Sequence, residues 1–541
     1  MQVADSKFLI AQGDARTHRT IPIPAYRGSI TDRRGEPLAV STPVTTIWGN
    51  PKKLLETPSD WPLIAELLSM DASKFAALIE KNQNKEFIYL KRRTPPEVAE
   101  GITLTLTKHK ITNVHTISES KRFYPSGSLA SHVVGFTDID DKGSEGVELS
   151  FNESLQGRAG AQLVIKNRRG GLSNDLGTLR PAQHGQPLVL SIDLRLQHIA
   201  KRELERGINE TQASAGSALI MDVNTGEILS LVNYPTYNPN NRDGVTLEML
   251  RNRGIVDVFE PASTMKPFSM AAALESGRWK PNDFVNVGNG TLTLGKYTIR
   301  DLGRYASPEL SMTDILIRSS NVGISKVAFE IGGDKIQSLF QRLGLGQTTG
   351  LGFPGERAGV LPLRRKWKKT ETATLSYGYG LSVTAVQLAK IYSVLANGGK
   401  EIAPSIIKID KPQEGQQIIP LGVASDIRHM LTEVIEAPKG IYRAKVKNYH
   451  VAGKSGTARK SATAGKGYSQ KSYRAIFAGF APANNPRFAV VVIVDNPTKG
   501  GYFGGLVSAP IFSRICEFSL RLYNVPPDNM IQETNTISKR T

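Results

Sequence analysis

The chain has 541 residues, 40% hydrophobic and 22% charged; this excludes a disordered chain and is too long for one core, so two or three domains are expected. A single cysteine, Cys516, excludes an internal disulfide and a cysteine-based zinc site, and the eight histidines form no HExxH or close pair, so no metal centre is expected. The formal charge of +19 suits an anionic partner, but finger spacings, RNP aromatics and basic heptads are missing, so nucleic acid is not expected, and no apolar run reaches the ~18 residues of a membrane span.

The first part, to about residue 186, reads as an extended, β-rich module. Residues 61–81 carry apolar side chains at helical spacing, and residues 102–106 alternate threonine with apolar residues, the pattern of a half-buried strand. Glycine-rich turns recur, at residues 141–146 and 168–171. The cluster Pro181-Ala-Gln-His-Gly-Gln-Pro187 marks a boundary. Residues 188–193 then read as a strand and 194–208 as an amphipathic helix. Strands at 217–222 and 228–232 flank Asn224-Thr-Gly-Glu227, a turn of hairpin chemistry. Helical segments follow, and three further strands are expected at 450–459, 473–481 and 487–494. Strands at both ends with helices between predict one sheet assembled from distant segments. Residues 460–472 are small, polar and basic, and read as a long, mobile hairpin connection. The expected domains are therefore 1–187 and 188–525, with a polar tail at 526–541.

Three short motifs carry chemistry. In Ser263-Thr-Met-Lys266 the serine and lysine are three apart ahead of an apolar helix, so they share a face and the lysine can act as base for the hydroxyl. The spacing alone is weak, because Ser118–Lys121 and Ser405–Lys408 repeat it. Ser319-Ser-Asn321 falls between two helical runs and can place a hydroxyl and an amide on a loop. Lys454-Ser-Gly-Thr457 lies within a predicted strand. There Gly456 would leave room for a substrate along the strand edge, Lys454 would supply a cation, and the Ser455 and Thr457 hydroxyls could bind a carboxylate.

Ser-x-x-Lys, Ser-x-Asn and Lys-Ser-Gly in this order resemble the motif set of penicillin-binding proteins and serine β-lactamases. Arg27-Gly-Ser-Ile-Thr-Asp-Arg-Arg-Gly35, Arg122-Phe-Tyr-Pro125 and Gly143-Ser-Glu-Gly-Val-Glu148 resemble motifs of the non-catalytic pedestal of class B penicillin-binding proteins, where Arg27 and Asp32 could form a structural ion pair. Ser376-Tyr-Gly-Tyr-Gly-Leu-Ser-Val-Thr384 is similar to the division-specific, septal branch.

The resemblance implies an α/β transpeptidase domain, a mainly antiparallel sheet flanked by helices as in serine β-lactamases, on an extended β-rich pedestal. It implies a peptidoglycan D,D-transpeptidase in which Ser263 forms an acyl-enzyme and Lys266 is the base. Ser319 and Lys454 would relay a proton, Asn321 would bind the donor amide, and the Ser263 and Thr457 N–H groups would hold the oxyanion. Ser455, Gly456 and Thr457 would bind the terminal carboxylate end of the substrate. Tyr377, Tyr379, Tyr473, Tyr502 and Phe503 would surround the cleft, and Arg459 would pair with acidic groups of substrate or drug. No cofactor is implied. The implied partners are D-Ala–D-Ala donor and amine acceptor stem peptides, β-lactams, a septal glycosyltransferase and other divisome membrane proteins, around a monomeric catalytic unit. The implied location is the bacterial inner membrane, through one N-terminal helix absent from this chain, with the catalytic domain in the periplasm. No Glu-x-x-Leu-Asn segment offers a deacylating glutamate, which favours a slow-deacylating transpeptidase over a hydrolase of antibiotics; the rival reading is a serine β-lactamase or sensor on the same fold. The elongation branch of the family is the nearer alternative.

Overall fold

Two strands in which every residue is buried, Ala215–Asp222 and Phe488–Asp495, pair antiparallel at the centre of a five-stranded sheet. They belong to a computed structural model that describes residues 18–166, 172–303, 307–411, 413–461 and 468–529. The strand order is Ile228–Tyr234, Ala215–Asp222, Phe488–Asp495, Tyr468–Ala481, Ala452–Ser461, and every pairing is antiparallel. The register runs from Phe488↔Asp222 to Asp495↔Ala215, so the N-terminal hairpin and the late strands form one sheet, as the sequence pattern predicts. Strands buried on both faces need cover on both. Helices Leu194–Thr211 and Gly504–Leu522 pack on the sheet and on each other, and Ala385–Ala396, buried along its whole length, packs on the central strands. Ala452–Ser461 is an edge strand, with one side free of strand partners.

The chain divides into two compact units. One comprises Met1–Thr31, Pro37–Pro125 and Phe136–Leu188; the other comprises Asp32–Glu36, Ser126–Gly135 and Val189–Thr541 and contains the five-stranded sheet. In the first unit the long strand Pro37–Gly49 pairs with Ile88–Thr94 and Val114–Phe123, and His18–Ile23, Gly160–Lys166 and Leu172–Arg180 form a second sheet. Ile47, Leu90, Phe75, Ile79 and Ile102 join one apolar core between strands and helices. Glu148, fully buried, binds two buried arginines: Arg27 Nε at 2.5 Å and Arg122 Nε at 2.6 Å. Three motifs far apart in sequence thus meet at one carboxylate.

Several sequence expectations are corrected. Residues 102–106 lie in the helix Pro96–Lys108, not in a strand. Its threonines satisfy their hydroxyls on the preceding turn, Thr103 Oγ1 donating to Ala99 O at 2.8 Å and Thr107 Oγ1 to Thr103 O at 2.8 Å. The segment 61–81 is two helices, Trp61–Leu67 and Ala72–Lys81, broken where Ser69 takes φ 54° and Asp71 caps the second. Only Leu188–Val189 of 188–193 is strand. Asp32 is not the partner of Arg27; it closes its own turn by accepting from Arg34 N and Glu36 N at 2.8 and 2.9 Å. The connection expected at 460–472 is shorter, because the strands continue to Ser461 and resume at Tyr468, which pair with each other. Polar residues sustain this ladder because backbone pairing does not require apolar burial. The mobility expected of that loop falls on residues 462–467, outside the described residues, as do the glycines of the 168–171 turn and most of the 526–541 tail.

Candidate active site

The three motifs converge on one cavity of the larger unit, about 640 Å³ in volume. Ser263 sits in a 3-10 turn, Ala262–Met265, that leads into the helix Lys266–Glu275. The turn is over-determined. Ala262 N donates to Gly378 O at 3.0 Å, Tyr392 Oη to Thr264 O at 2.9 Å and Thr264 Oγ1 to Pro261 O at 2.7 Å. These contacts hold Ala262 in the left-handed region at φ 50°, a conformation that costs a non-glycine residue energy. Gly378 itself has φ +81°, and a Cβ there would lie 2.1 Å from Ala262 O. This gives the Tyr-Gly-Tyr-Gly segment a physical role: it is the platform against which the Ser263 turn is built.

Lys266 and Lys454 are both buried beneath the cavity and converge on Ser319. Lys266 Nζ donates to Ser319 O at 2.5 Å and to Ser319 Oγ at 3.1 Å; Lys454 Nζ donates to the same Oγ at 3.0 Å and to Ser455 O at 3.3 Å. Among the described residues no hydrogen bond joins Ser263 Oγ to Lys266 Nζ. Burial holds Lys266 well below its ordinary pKa, and the Lys454 cation lowers it further, against the opposing pull of Asp301. Burial pushes Lys454 down to about 7. Two ammonium groups sharing one hydroxyl lie within about 6 Å of each other, so protonating one disfavours protonating the other.

Asp301 organises the Ser-x-Asn loop. Its carboxylate accepts from Ser320 Oγ at 2.6 Å and from the Asn321 and Val322 N–H groups at 2.5 and 3.0 Å, capping the helix Asn321–Ile331. Ser319, at φ 55°, is thereby fixed where its hydroxyl meets both lysines.

Side chains alternate along the edge strand. Ser455, Thr457 and Arg459 line the cavity, while Lys454 and Gly456 face inward. The reading of Gly456 as room for substrate is corrected. A Cβ there would lie 2.8 Å from Pro261 O and 3.0 Å from Thr264 Cγ2, so the glycine lets the strand close on the Ser263 turn. Thr457 is tied down at both ends: Gly504 N donates to its Oγ1 at 3.0 Å and Tyr379 Oη to its carbonyl at 3.2 Å.

Ser263, Ser319, Asn321, Tyr379, Tyr473, Tyr502 and Phe503 also line the cavity. Tyr473 and Tyr502 stack at 4.0 Å between ring centroids, Phe503 lies 4.6 Å from Tyr502, and Arg459 stands 6.0 Å over Tyr473. Burial raises the Tyr379 phenol, and Glu260 adds to this, so it is a neutral donor. Tyr377 does not reach this cavity; it lines a separate one of about 340 Å³ with Tyr297 and Glu371. Sequence reasoning missed Arg300, Leu302, Tyr442 and Arg443 on the cavity wall and Asp301 behind it. None belongs to a motif, and only tertiary proximity reveals them. Among the described residues no group of three or more His, Cys, Asp or Glu side chains is placed to hold a metal ion.

The family description "Penicillin binding protein transpeptidase domain" matches residues 216–517, and "Penicillin-binding Protein dimerisation domain" matches residues 22–190. The chain belongs to the class B penicillin-binding proteins. It is 46% identical over all 541 residues, and 94% of the relative, to a Pseudomonas aeruginosa protein named "Probable peptidoglycan D,D-transpeptidase PbpC". It is 40% identical over 98% of the chain, and 89% of the relative, to "Peptidoglycan D,D-transpeptidase FtsI" of Escherichia coli K12. Among solved structures it resembles penicillin-binding protein 3 of Mycobacterium tuberculosis complexed with aztreonam, with TM-score 0.72, 27% identity, and coverage of 94% of this chain and 99% of that one. It also resembles the transpeptidase domain of Burkholderia pseudomallei penicillin-binding protein 3, with TM-score 0.57, 42% identity, and coverage of 63% and 97%. This class B penicillin-binding protein thus matches its relatives over pedestal and catalytic regions alike.

Proposed function

We propose that this class B penicillin-binding protein, a peptidoglycan D,D-transpeptidase, works through an acyl-enzyme on Ser263 and serves the division septum. The observation that carries the mechanism is the shared hydroxyl of Ser319, which accepts from both buried lysines. A neutral amine has two hydrogens and one lone pair. The two donations from Lys266 Nζ to Ser319 use both hydrogens and leave the lone pair for the Ser263 proton.

Ser263 Oγ attacks the D-Ala–D-Ala carbonyl as Lys266 takes its proton. The Ser263 and Thr457 N–H groups hold the oxyanion, in a geometry the over-determined turn keeps fixed. Ser319 passes its proton to the departing D-alanine nitrogen and is replenished from the lysine pair. Asn321 binds the donor amide; Ser455 and Thr457 hold the terminal carboxylate. Tyr473, Tyr502 and Phe503 form the apolar wall, and Arg459 at its edge meets acidic groups of substrate or drug. β-Lactams enter by the same route and remain as esters. None of these steps requires a metal or organic cofactor.

The septal assignment is supported by the segment 376–384 and by relatives named FtsI. It places the catalytic unit in the periplasm, on an inner-membrane anchor, working with a septal glycosyltransferase and other divisome membrane proteins. No helix among the described residues is long and apolar enough to cross a membrane. Depletion in the source bacterium tests the assignment. Filaments lacking constrictions are expected, whereas rounded cells that still divide would assign the protein to elongation.

A further inference from the structure

The second cavity of the larger unit, about 340 Å³, opens between a hairpin and a helix. The hairpin pairs Thr291–Leu294 with Tyr297–Arg300 and contributes Leu294, Tyr297 and Ile299. The helix Lys369–Ser376 and its cap contribute Glu371, Thr374 and Tyr377. The volume is at the lower end of ligand cavities, about 300–1,000 Å³, and leaves room for a large side chain. None of the paired hairpin residues is buried, and Tyr297 is 57% exposed, so the hairpin is held by its ladder with little apolar contact of its own.

Cations border this cavity. Five of the six residues 364–369 are arginine or lysine, and all five are exposed. Trp367, the sixth, pins the run to the protein, since a Cβ on Gly333 would lie 2.6 Å from its Cγ. Arg364 N donates to Gln337 Oε1 at 2.8 Å. Glu371, the only acid of the lining, is already engaged with the run: it accepts from Lys368 N at 3.2 Å and from Arg364 Nε at 3.3 Å. Among the described residues Arg365, Lys366, Lys368 and Lys369 form no ion pair, whereas Arg364 pairs with Glu371. The run stands at the N-terminus of the helix, whose dipole favours anions there, so these cations do not serve the helix. On the hairpin side Lys296 Nζ lies 5.5 Å from the Tyr297 ring centroid. A partly apolar cavity bordered by unpaired cations is complementary to an apolar anchor flanked by negative charge.

We propose that this cavity docks an acidic peptide segment of a partner protein, one apolar side chain filling it and acidic neighbours pairing with residues 364–369, and that the docked segment steadies the loop carrying Ser319 and Asn321. The coupling follows from where the two walls lead. The residue after the hairpin is Asp301, whose N–H closes the hairpin on Gly290 O at 2.9 Å and whose carboxylate holds Ser320, Asn321 and Val322. Asn321 Nδ2 donates back to Arg300 O at 3.3 Å. On the helix side the Tyr377 ring packs edge-on against Tyr379, which lines the active-site cavity, with centroids 5.7 Å apart. The next residue, Gly378, is the one whose carbonyl anchors the Ser263 turn. An apolar side chain between hairpin and helix supplies the contacts the hairpin lacks and so fixes Asp301 against the helix. By linkage, a filled active site that steadies the same loop tightens the docked segment in return. This coupling rests on the acyl-enzyme reading above; the docking does not.

The test is fluorescence anisotropy with the whole chain and a labelled peptide carrying three glutamates on either side of one phenylalanine. Binding that weakens as salt rises is expected. Alanine in place of the phenylalanine should weaken it about tenfold or more, the worth of burying the ring. Exchanging the exposed pair, Arg365→Gln with Lys366→Gln, should weaken both peptides, and Leu294→Gln should remove the advantage of the phenylalanine. Enzyme first acylated by a penicillin should bind the peptide about fivefold more tightly, the low end of ordinary coupling, and Ser263→Ala should show no such change. Failure to bind, or equal binding of the alanine peptide, overturns the docking site. So does binding indifferent to the paired exchange. Vesicles of phosphatidylglycerol that bind the chain through Arg365 and Lys366 better than the peptide does would assign the run to a membrane surface and overturn it too. Equal affinity of free and acylated enzyme overturns the coupling. If penicillin leaves Ser263 unmodified, the peptide still binds and it is the proposed function that fails.

Discussion

Replacing Gly456 by alanine separates two roles for the strand that carries Lys454. The added methyl would lie 2.8 Å from Pro261 O and 3.0 Å from Thr264 Cγ2, inside ordinary contact distance, and one neighbour is backbone. Relief requires the strand and the Ser263 turn to part by about half an ångström. The turn resists, being held by Gly378, Tyr392 and its own Thr264 hydroxyl. Overpacking of this kind costs about 1–3 kcal/mol. For a unit of this size that lowers Tm by roughly 1–4 °C. The same displacement moves Ser263 relative to Thr457, and an error approaching 1 Å in reacting geometry can cost ~10²-fold in rate. Stopped-flow acylation by a chromogenic β-lactam, with a thermal melt of the same preparation, gives both numbers. Both should fall. A variant that acylates slowly at unchanged Tm would return Gly456 to a substrate-clearance role. One that acylates at the wild-type rate would refute the packing account.

Lys266→Arg should fold but acylate orders of magnitude more slowly, because a guanidinium offers no neutral lone pair at accessible pH; near-normal acylation would mean another base. In the wild type, burial and Lys454 keep Lys266 well below 10.5, so the neutral base is already present at mildly alkaline pH. The acylation rate should therefore level off well before pH 10, and a tenfold rise per unit up to that point would indicate an unperturbed lysine. Glu148→Gln leaves Arg27 and Arg122 buried without a carboxylate, for a loss of about 3–5 kcal/mol measured by denaturant melts of the whole chain; a loss below 1 kcal/mol would show that the cluster is dispensable. We propose that residues 188–525 fold alone, and amide exchange on that fragment should show protection in Ala215–Asp222 and Phe488–Asp495, where rapid exchange would place the boundary elsewhere.

What could be read from sequence, and what could not, divides by the range of the forces involved. The central strands announce themselves because burial on both faces demands near-continuous apolar runs such as Phe488-Ala-Val-Val-Val-Ile-Val494. The three motifs were legible because their chemistry fixes residue types at short spacing. Residues 102–106 resemble a strand because threonine suits strands on average, while the helix-starting signal, Pro95-Pro96, lies outside that short alternating run. The Arg27 partner lies 121 residues away, and no local pattern distinguishes Glu148 from the nearer Asp32. Asp301 acts across space from a loop without a repeating signature. Its contribution becomes visible only once the hydrogen bonds to Ser320 and Asn321 are in place. Gly456 stands out in the sequence because glycine costs a strand stability, yet the neighbour it admits is protein rather than substrate.

The central claim is that Ser263 alone is the nucleophile. Ser118 lies in a strand of the other unit, and Ser405 Oγ is engaged with Ile407 O at 2.7 Å, so neither repeated Ser-x-x-Lys spacing has the Ser319 and Lys454 company that activates a hydroxyl. Intact-protein mass spectrometry after exposure to a penicillin, followed by peptide mapping, tests this directly. One acyl adduct per chain on Ser263, absent from Ser263→Ala, is the predicted result. An adduct on Ser118 or Ser405, or an adduct that survives Ser263→Ala, would contradict it.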